Sequence, residues 1–339
     1  MDKMEHKGKV VETDERFEHV MAIALDSRTG YHDGVLRCIT SRSGDVKVKG
    51  NLDRSVLHKV HGDTLEHYAI GEKVVIKNQE EIISQLSGPG WNFIGLEDPD
   101  IWIDEKANMM HLYFTIPLKH KLTGPEHERM RIYLGHAVGK DLDSLVMTMP
   151  VLLGADHNQS AKEVSIAPIN KQELRYNLFE SADRVDKIDY STVRVAKVLD
   201  MGKSWEFGET VFHPAEHKIP WIGGHASPGP LLPREFIDVG EGKLLGFMNG
   251  REANTKVGDE THYGTFSVGL FIYDYEHGKI DWVSPESFIK DSEAETITFA
   301  SQFVPIATQE GILYAHVDDS FVRAYSITAD LLKKYIPIS

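Results

Sequence analysis

Residues 110–117 read MHLYFTIP, a run of apolar and β-branched residues that ends at a proline. Such runs are typical of β-strands. Related runs recur as RYNLFESAD at 175–183, KLLGFMNGR at 243–251 and GILYAHVDD at 311–319. Their alignment superposes Phe114, Phe179, Phe247 and Ala315, with steps of 65, 68 and 68 residues. A similar step back reaches the candidate first copy, GVLRCITSRSG at 34–44.

Self-similarity at a fixed period is the signature of a repeat architecture. Five units of about 68 residues account for the 339-residue chain. Helical patterns are scarce, and the best one covers Ala329–Tyr335. We therefore predict an all-β fold for residues 1–339 as a single domain: a five-bladed β-propeller with four-stranded antiparallel blades around a central channel. The alternative is a two-sheet sandwich whose strands happen to be evenly spaced.

The composition excludes several classes of function. A net charge of −15 disfavours nucleic acid and anionic membrane as partners, and no 18-residue apolar run suggests a transmembrane helix. The zinc, redox and nucleotide motifs HExxH, CxxC and GxxxxGK[ST] are absent from the sequence, so we predict no metal and no cofactor. A charged N-terminus and a single cysteine, Cys38, favour a cytoplasmic location. The oligomeric state is left open.

Polar residues recur near the ends of these strands. In a propeller the innermost strands line the channel, so such residues converge on one pocket, which is the default binding site. The candidates in the five units, in chain order, are Asp26 and Asp33, Glu97 and Asp98, Glu180, His225 and Arg251, and Asp319.

The stretch GLEDPD, residues 95–100, places three carboxylates within four positions. Pro99 fixes its own φ and biases Asp98 toward extended geometry. We expect this rigid segment to point the Asp98 carboxylate into the channel, with Glu97 pointing elsewhere or contacting ligand.

Several carboxylates around one pocket suit the cleavage of a glycosidic bond. One acid protonates the leaving oxygen, while another activates water or attacks the anomeric carbon. Crowding separates the two roles, because neighbouring carboxylates push their pKa values apart. Tryptophans are candidates for stacking on sugar rings, although most are expected to be core residues: Trp91, Trp102, Trp205 and Trp221.

The sequence also resembles the five-bladed propeller glycosidases, most closely glycoside hydrolase family 130, the mannoside phosphorylases and β-mannosidases, with families 43 and 32 related. The motif GLEDPD with its following strand is similar to that family's Gly-x-Glu-Asp-Pro-Arg motif. Looser similarities run through Lys162–Asp183, HASPGPLLP at 225–233, Ser267–Ile289 and the strand at 311–327.

The resemblance implies roles for these residues. Asp98 would deliver a proton to the leaving oxygen, and Glu180 would be the water-activating base or an acid partner. Asp26 or Asp33 would act on the terminal sugar. The residues expected to bind substrate are Glu97, His225, Asp319, Arg251 and Trp91.

Two departures from family 130 bear on the reaction. Asp100 stands where the family has arginine, and the third-blade strand ends in the acidic FESAD rather than in basic residues. Phosphorolysis needs a cationic site for inorganic phosphate. We therefore predict a glycoside hydrolase acting on short oligosaccharides or terminal glycosides. The alternatives are a mannoside-type phosphorylase and a non-catalytic sugar-binding propeller.

Overall fold

The computed structural model describes residues 6–120, 130–154 and 160–337. Most of its regular secondary structure is β-strand. The first eleven strands, β1 to β11 in chain order, are His6–Lys9, Val11–Glu12, His19–Leu25, Asp33–Ser43, Leu52–Thr64, His67–Lys73, Trp91–Phe93, Glu97–Asp104, Met109–His120, Met130–Gly139 and Val146–Met147.

The remaining strands, β12 to β24, are Lys162–Ser165, Arg175–Val185, Ile188–Val198, Glu206–Phe212, His225–Leu231, Lys243–Arg251, Thr255–Val257, Glu260–His262, Phe266–Asp274, Lys279–Val283, Thr298–Ala307, Glu310–Val317 and Phe321–Thr328. Three α-helices, α1 to α3, cover Gln79–Ser87, Pro214–His217 and Ala329–Lys333. The predicted C-terminal helix is thus present and ends two residues early, whereas the sequence patterns did not predict α1. None of the helices in the described ranges has the length and apolar character needed to span a bilayer.

Consecutive strands pair antiparallel in successive groups, each of which is called a run below. The runs are β3–β6, β8–β11, β12–β15, then β16, β17, β20 and β21, and finally β22–β24. The last run is completed by the N-terminal strand β1, which pairs with β24. The predicted separate four-stranded sheets are only partly seen. The third and fourth runs share one eight-stranded sheet, because β14 and β16 pair in parallel at Ser191 and His225.

The first strand of each run contacts the first strand of the next run, and β22 contacts β3, so that these five strands form a closed ring. Five apolar clusters join neighbouring runs around this ring. The aligned positions Phe114, Phe179, Phe247 and Ala315 all lie in the second strand of their run and are fully buried. The repeat seen in the sequence is therefore a repeat of core positions, which follows from the hydrophobic burial that holds the runs together.

Each ring strand is also irregular at a similar point. The register shifts fall between Met21 and Ile23, Glu97 and Asp100, Lys162 and Val164, Pro228 and Leu231, and Ala300 and Gln302. Three of these irregularities hold a non-glycine residue at positive φ: Ala22, Asp98 and Glu163. Bulges of this kind re-aim side chains. Here they turn polar residues of the ring strands toward the enclosed space.

Candidate active site

Carboxylates and cations line a cavity of about 410 Å³ at one end of the ring. Its polar lining comes from every run of strands: Arg37, Asp53, Glu97, Asp98, Lys162, Glu163, His225, His316 and Asp319. A smaller cavity of about 160 Å³ shares Asp98 and Glu163 with it. These two side chains therefore lie between the two cavities.

Asp98 is placed by the bulge in β8 and not by extended geometry. Its φ is +48°, in the left-handed region that aspartate tolerates better than most residues. The prediction that Pro99 keeps Asp98 extended is therefore wrong. Because the bulge interrupts the alternation of the strand, Glu97 and Asp98 both face the cavity.

Arg37 of β4 holds this acidic pair. Its guanidinium donates to Asp98 Oδ1 at 2.7 Å, lies 2.9 Å from Glu97 Oε1, and donates through Nε to Ser55 at 3.2 Å. Burial acts to raise the pKa of Asp98, but the charges of Arg37 and Lys162 hold it below its ordinary value. Burial raises the pKa of Glu97 to about 7, and the Asp98 charge adds to that effect. Asp98 therefore carries the negative charge of the pair.

Glu163 completes a second carboxyl pair with Asp98. The two side chains are hydrogen-bonded, and burial together with the Asp98 charge raises the pKa of Glu163 well above its ordinary value. The Glu163 carboxyl is thus the donor and the Asp98 carboxylate the acceptor. Two carboxyl groups in contact share one proton, so the pair holds a proton that it can donate.

Glu180 lies behind the cavity wall. Its carboxylate accepts from His225 Nε2 at 3.1 Å, lies 3.3 Å from Lys162 Nζ and is hydrogen-bonded to Ser191. Although burial opposes ionisation, His225 and Lys162 lower the pKa of Glu180 to about 2. Its side chain is only 2 % exposed. These contacts occupy the carboxylate, so Glu180 positions His225 and Lys162 instead of facing substrate.

His316 and Asp319 form the opposite part of the lining. The Ala22 backbone N–H donates to His316 Nδ1 at 3.2 Å, which directs Nε2 toward Asp319 Oδ1, 3.6 Å away. Burial lowers the pKa of His316, so the ring is neutral. The Asp319 side chain is 24 % exposed, against 5 % for Asp98, which leaves it open to solvent in the cavity.

The structure does not bring the first-unit acids to this cavity. Asp26 accepts hydrogen bonds from the Arg28 backbone and side chain. Asp33 is exposed and contacts His61 at 2.7 Å. Asp33 begins β4 four residues before Arg37, a separation of about 13 Å along a strand. The prediction that Asp26 or Asp33 lines the channel therefore fails, because both lie at the far end of β3 and β4.

The lining of the 410 Å³ cavity includes none of the four candidate tryptophans, although Trp102 lines the smaller cavity. Trp91 packs against His120, and the Arg131 guanidinium lies 4.2 Å from its ring. Trp205 and Trp221 are buried in the core. Trp221 fits beside Gly250 and Gly269, where a β-carbon would come within 2.3 Å of the indole. These contacts do not support the predicted sugar stacking by Trp91.

Sequence reasoning missed Arg37, Lys162, Glu163 and His316 as site residues. The signal for Glu163 was its place at the start of the third unit, equivalent to that of Asp98 in the second. In the described parts of the chain, no group of three or more His, Cys, Asp or Glu side chains is arranged to hold a metal ion.

Replacing Arg37 by methionine should lower the free energy of unfolding by about 3–5 kcal/mol, because two buried carboxylates lose their shared cation. The loss should be larger at high pH. Without Arg37 the folded-state pKa of Asp98 rises, and that of Glu97, already above its unfolded value, rises further. The variant therefore loses stability relative to wild type as pH rises through the range in which these acids ionise. Urea unfolding at several pH values measures this effect. Arg16→Met removes an exposed ion pair with Asp14 and should change stability far less. Equal effects of the two substitutions would contradict the assignment.

Comparison with solved structures identifies the fold. A β-1,2-mannobiose phosphorylase from Listeria innocua aligns over 96 % of this chain and 94 % of its own, with 12 % identity and a TM-score of 0.64. A mannose phosphorylase from Leishmania mexicana, solved with phosphate ion, covers 98 % and 90 % at 12 % identity and TM-score 0.54. An endo-arabinase from Bacteroides thetaiotaomicron covers 98 % of both chains at 14 % identity and TM-score 0.54.

No family model matches the sequence, and no curated protein matches it. The chain therefore has the fold of the propeller glycosidases. This confirms the resemblance to family 130 and the related propeller glycosidases that was inferred from the sequence. Identities of 10–14 % show the fold and leave the reaction to be argued from the site.

Proposed function

We propose that this protein is a carbohydrate-active enzyme, a glycoside hydrolase built on a five-bladed propeller. The ring of five first strands and the five clusters between neighbouring runs support the blade count. The single observation that carries the function is the Asp98–Glu163 pair, which shares a proton inside a cavity of small-ligand size.

In this mechanism the pair protonates the leaving oxygen of a glycosidic bond. The proton resides on Glu163 and is hydrogen-bonded to Asp98, and either residue of the pair can present it to the oxygen. Arg37 and Lys162 stabilise the negative charge that remains after transfer. The bound proton leaves as part of the released alcohol, and Asp319 takes up the proton of the attacking water. After the products leave, Asp319 releases that proton to solvent and the pair takes one up from solvent.

A second group must activate water at the anomeric carbon. Asp319 is the best placed, because it lines the same cavity, is more exposed than Asp98 and is oriented by neutral His316. This differs from the role that the resemblance implies for Glu180. Glu180 holds His225 and Lys162 in place, so its loss should disturb the site without removing an acid or base.

Charge balance favours hydrolysis over phosphorolysis. The 410 Å³ cavity has five carboxyl groups in its lining, from Asp53, Glu97, Asp98, Glu163 and Asp319. The permanent cations of that lining are Arg37 and Lys162, and both already contact carboxylates. A phosphate dianion would therefore find no permanent cation among the described residues of this lining that lacks a carboxylate partner. An attacking water molecule needs no such cation.

A substrate panel tests this proposal. Aryl glycosides and short mannosides, arabinosides and fructosides should be incubated with and without inorganic phosphate. We expect at least one to release free reducing sugar at a rate independent of phosphate. Release of a sugar 1-phosphate that requires added phosphate would identify a phosphorylase instead. Sugar binding without turnover across the panel would favour the non-catalytic alternative.

A further inference from the structure

A second, larger cavity of about 690 Å³ adjoins the candidate active site. The two cavities share His225, Tyr263 and Phe266 in their linings. The outer part of the larger cavity is formed by the β13–β14 turn and by the β18–β19 hairpin. A ligand that fills the 410 Å³ cavity can therefore extend into this one past His225.

The two cavities have opposite charge. Cationic side chains lining the larger one are Lys49, Lys187, Arg251 and Lys256, whereas Asp189 is the one acid among its described lining residues. Asp189 already forms ion pairs with Lys49 at 3.1 Å and Arg184 at 3.4 Å. An excess of positive charge thus lies on one wall of a protein whose net charge is −15.

Arg251 is the main cation of this cavity, because it is buried and no described carboxylate lies within ion-pair distance of it; Glu180 acts on it only as a more distant charge. Arg251 is only 6 % exposed and makes no ion pair with any residue that the structure describes. Its guanidinium donates to the Asn254 side chain and lies 4.7 Å from the Tyr263 ring and 5.5 Å from the Phe266 ring. By contrast, the similarly buried Arg37 contacts two carboxylates.

A buried guanidinium without a counter-ion is costly. Its planar fork matches a carboxylate or phosphate group in two parallel hydrogen bonds. Lys187 and Lys256 stand at the same cavity and add attraction for an anion. The aromatic rings beside Arg251 provide an apolar surface on which a sugar ring can pack.

We propose that this cavity binds an anionic group, a carboxylate or a phosphate ester, carried by a sugar unit of the substrate. The proposal rests on the proposed function and specifies its substrate class: oligosaccharides that contain an acidic sugar. Arg251 would pair with the anion, and Lys187 and Lys256 would attract it electrostatically. The rest of the substrate would extend past His225, which lines both cavities, so that the bond to be broken lies in the 410 Å³ cavity.

Calorimetry with simple probes tests this without any need for turnover. Glucuronate, glucose 6-phosphate, glucose and inorganic phosphate should each be titrated into the intact protein. We expect at least one acidic sugar to bind roughly ten-fold more tightly than glucose, with the preference decreasing as salt is raised. The double variant Lys187→Gln/Lys256→Gln should weaken that binding several-fold and leave glucose binding unchanged. Lys203→Gln/Lys333→Gln is the charge-matched control on distant surface, and it should have no effect.

Three results would overturn the proposal. They are equal affinity for glucose and both acidic sugars, no effect of Lys187→Gln/Lys256→Gln, and inorganic phosphate binding at least as tightly as either acidic sugar. Binding of inorganic phosphate at least as tightly as the acidic sugars would identify a site for a free anion and not for a charged sugar. Tight binding of an acidic sugar together with no hydrolysis of the panel, or of aryl glucuronides added to it, would leave this site standing and reject the hydrolase. Hydrolysis of neutral glycosides with no preference for acidic sugars would support the hydrolase and reject this anion site.

Discussion

Replacing Glu163 by glutamine should lower kcat by roughly 10²–10⁴-fold, the usual contribution of a positioned proton donor. Glutamine keeps the shape of the side chain and can still donate a hydrogen bond to Asp98, but it has no acidic proton to transfer. The substitution also removes one of the two carboxyl groups that share the proton, which burial and the Asp98 charge keep on Glu163. Steady-state kinetics on the best substrate of the panel measures this loss.

The same variant should change the pH profile. In the wild-type enzyme the pair must hold its proton, so activity falls as pH rises through the raised pKa of Glu163. In Glu163→Gln this alkaline limb should disappear from the residual activity. Glu173→Gln is a matched control, since Glu173 also has positive φ, +60°, and lies exposed. An unchanged alkaline limb in Glu163→Gln, or near-wild-type kcat, would remove Glu163 from the mechanism.

Replacing Asp98 by asparagine should lower kcat by at least about 10³-fold, because the amide can neither hold the negative charge of the pair nor pass on its proton. Asparagine tolerates positive φ as well as aspartate does, so the bulge in β8 should be retained. Alanine is a poorer choice, since it would be strained at a φ of +48° and would leave Arg37 with Glu97 alone.

Sugar binding and folding should survive the Asp98→Asn change. Calorimetric affinity within about ten-fold of wild type and a cooperative thermal transition would show that the loss is chemical. Asp186→Asn, at an exposed position with φ +51°, is the control for the backbone geometry. Retention of a tenth or more of wild-type kcat by Asp98→Asn would show that Asp98 has a structural role.

The architecture was largely predictable because the repeat is a repeat of core residues. Phe114, Phe179 and Phe247 occur at near-constant spacing because each fills core space between its own run and a neighbouring one. Buried positions of this kind leave a strong pattern in sequence. Helix α1 lies in one connection only, so it left no repeated signal.

The site was less predictable because bulges, and not strand alternation, direct its side chains. Asp98 was found through its motif, but its left-handed backbone was not. Glu163 has the equivalent place in the next run, but a single sequence does not show the bulge that turns its side chain to the cavity. Asp26 and Asp33 were chosen as strand-end acids, yet sequence does not say which end of a strand faces the cavity. Glu180 lies behind the cavity wall, where its carboxylate is occupied by three partners, His225, Lys162 and Ser191.

The most direct test of the central claim is a crystal structure of Asp98→Asn with the best substrate of the panel bound. We expect a glycosidic oxygen within about 2.6–3.2 Å of residue 98 or Glu163, with Asp319 on the other side of the anomeric carbon. A sugar bound outside the cavity lined by Arg37, Lys162 and Asp319, or one whose scissile bond contacts neither carboxyl group of the pair, would contradict it.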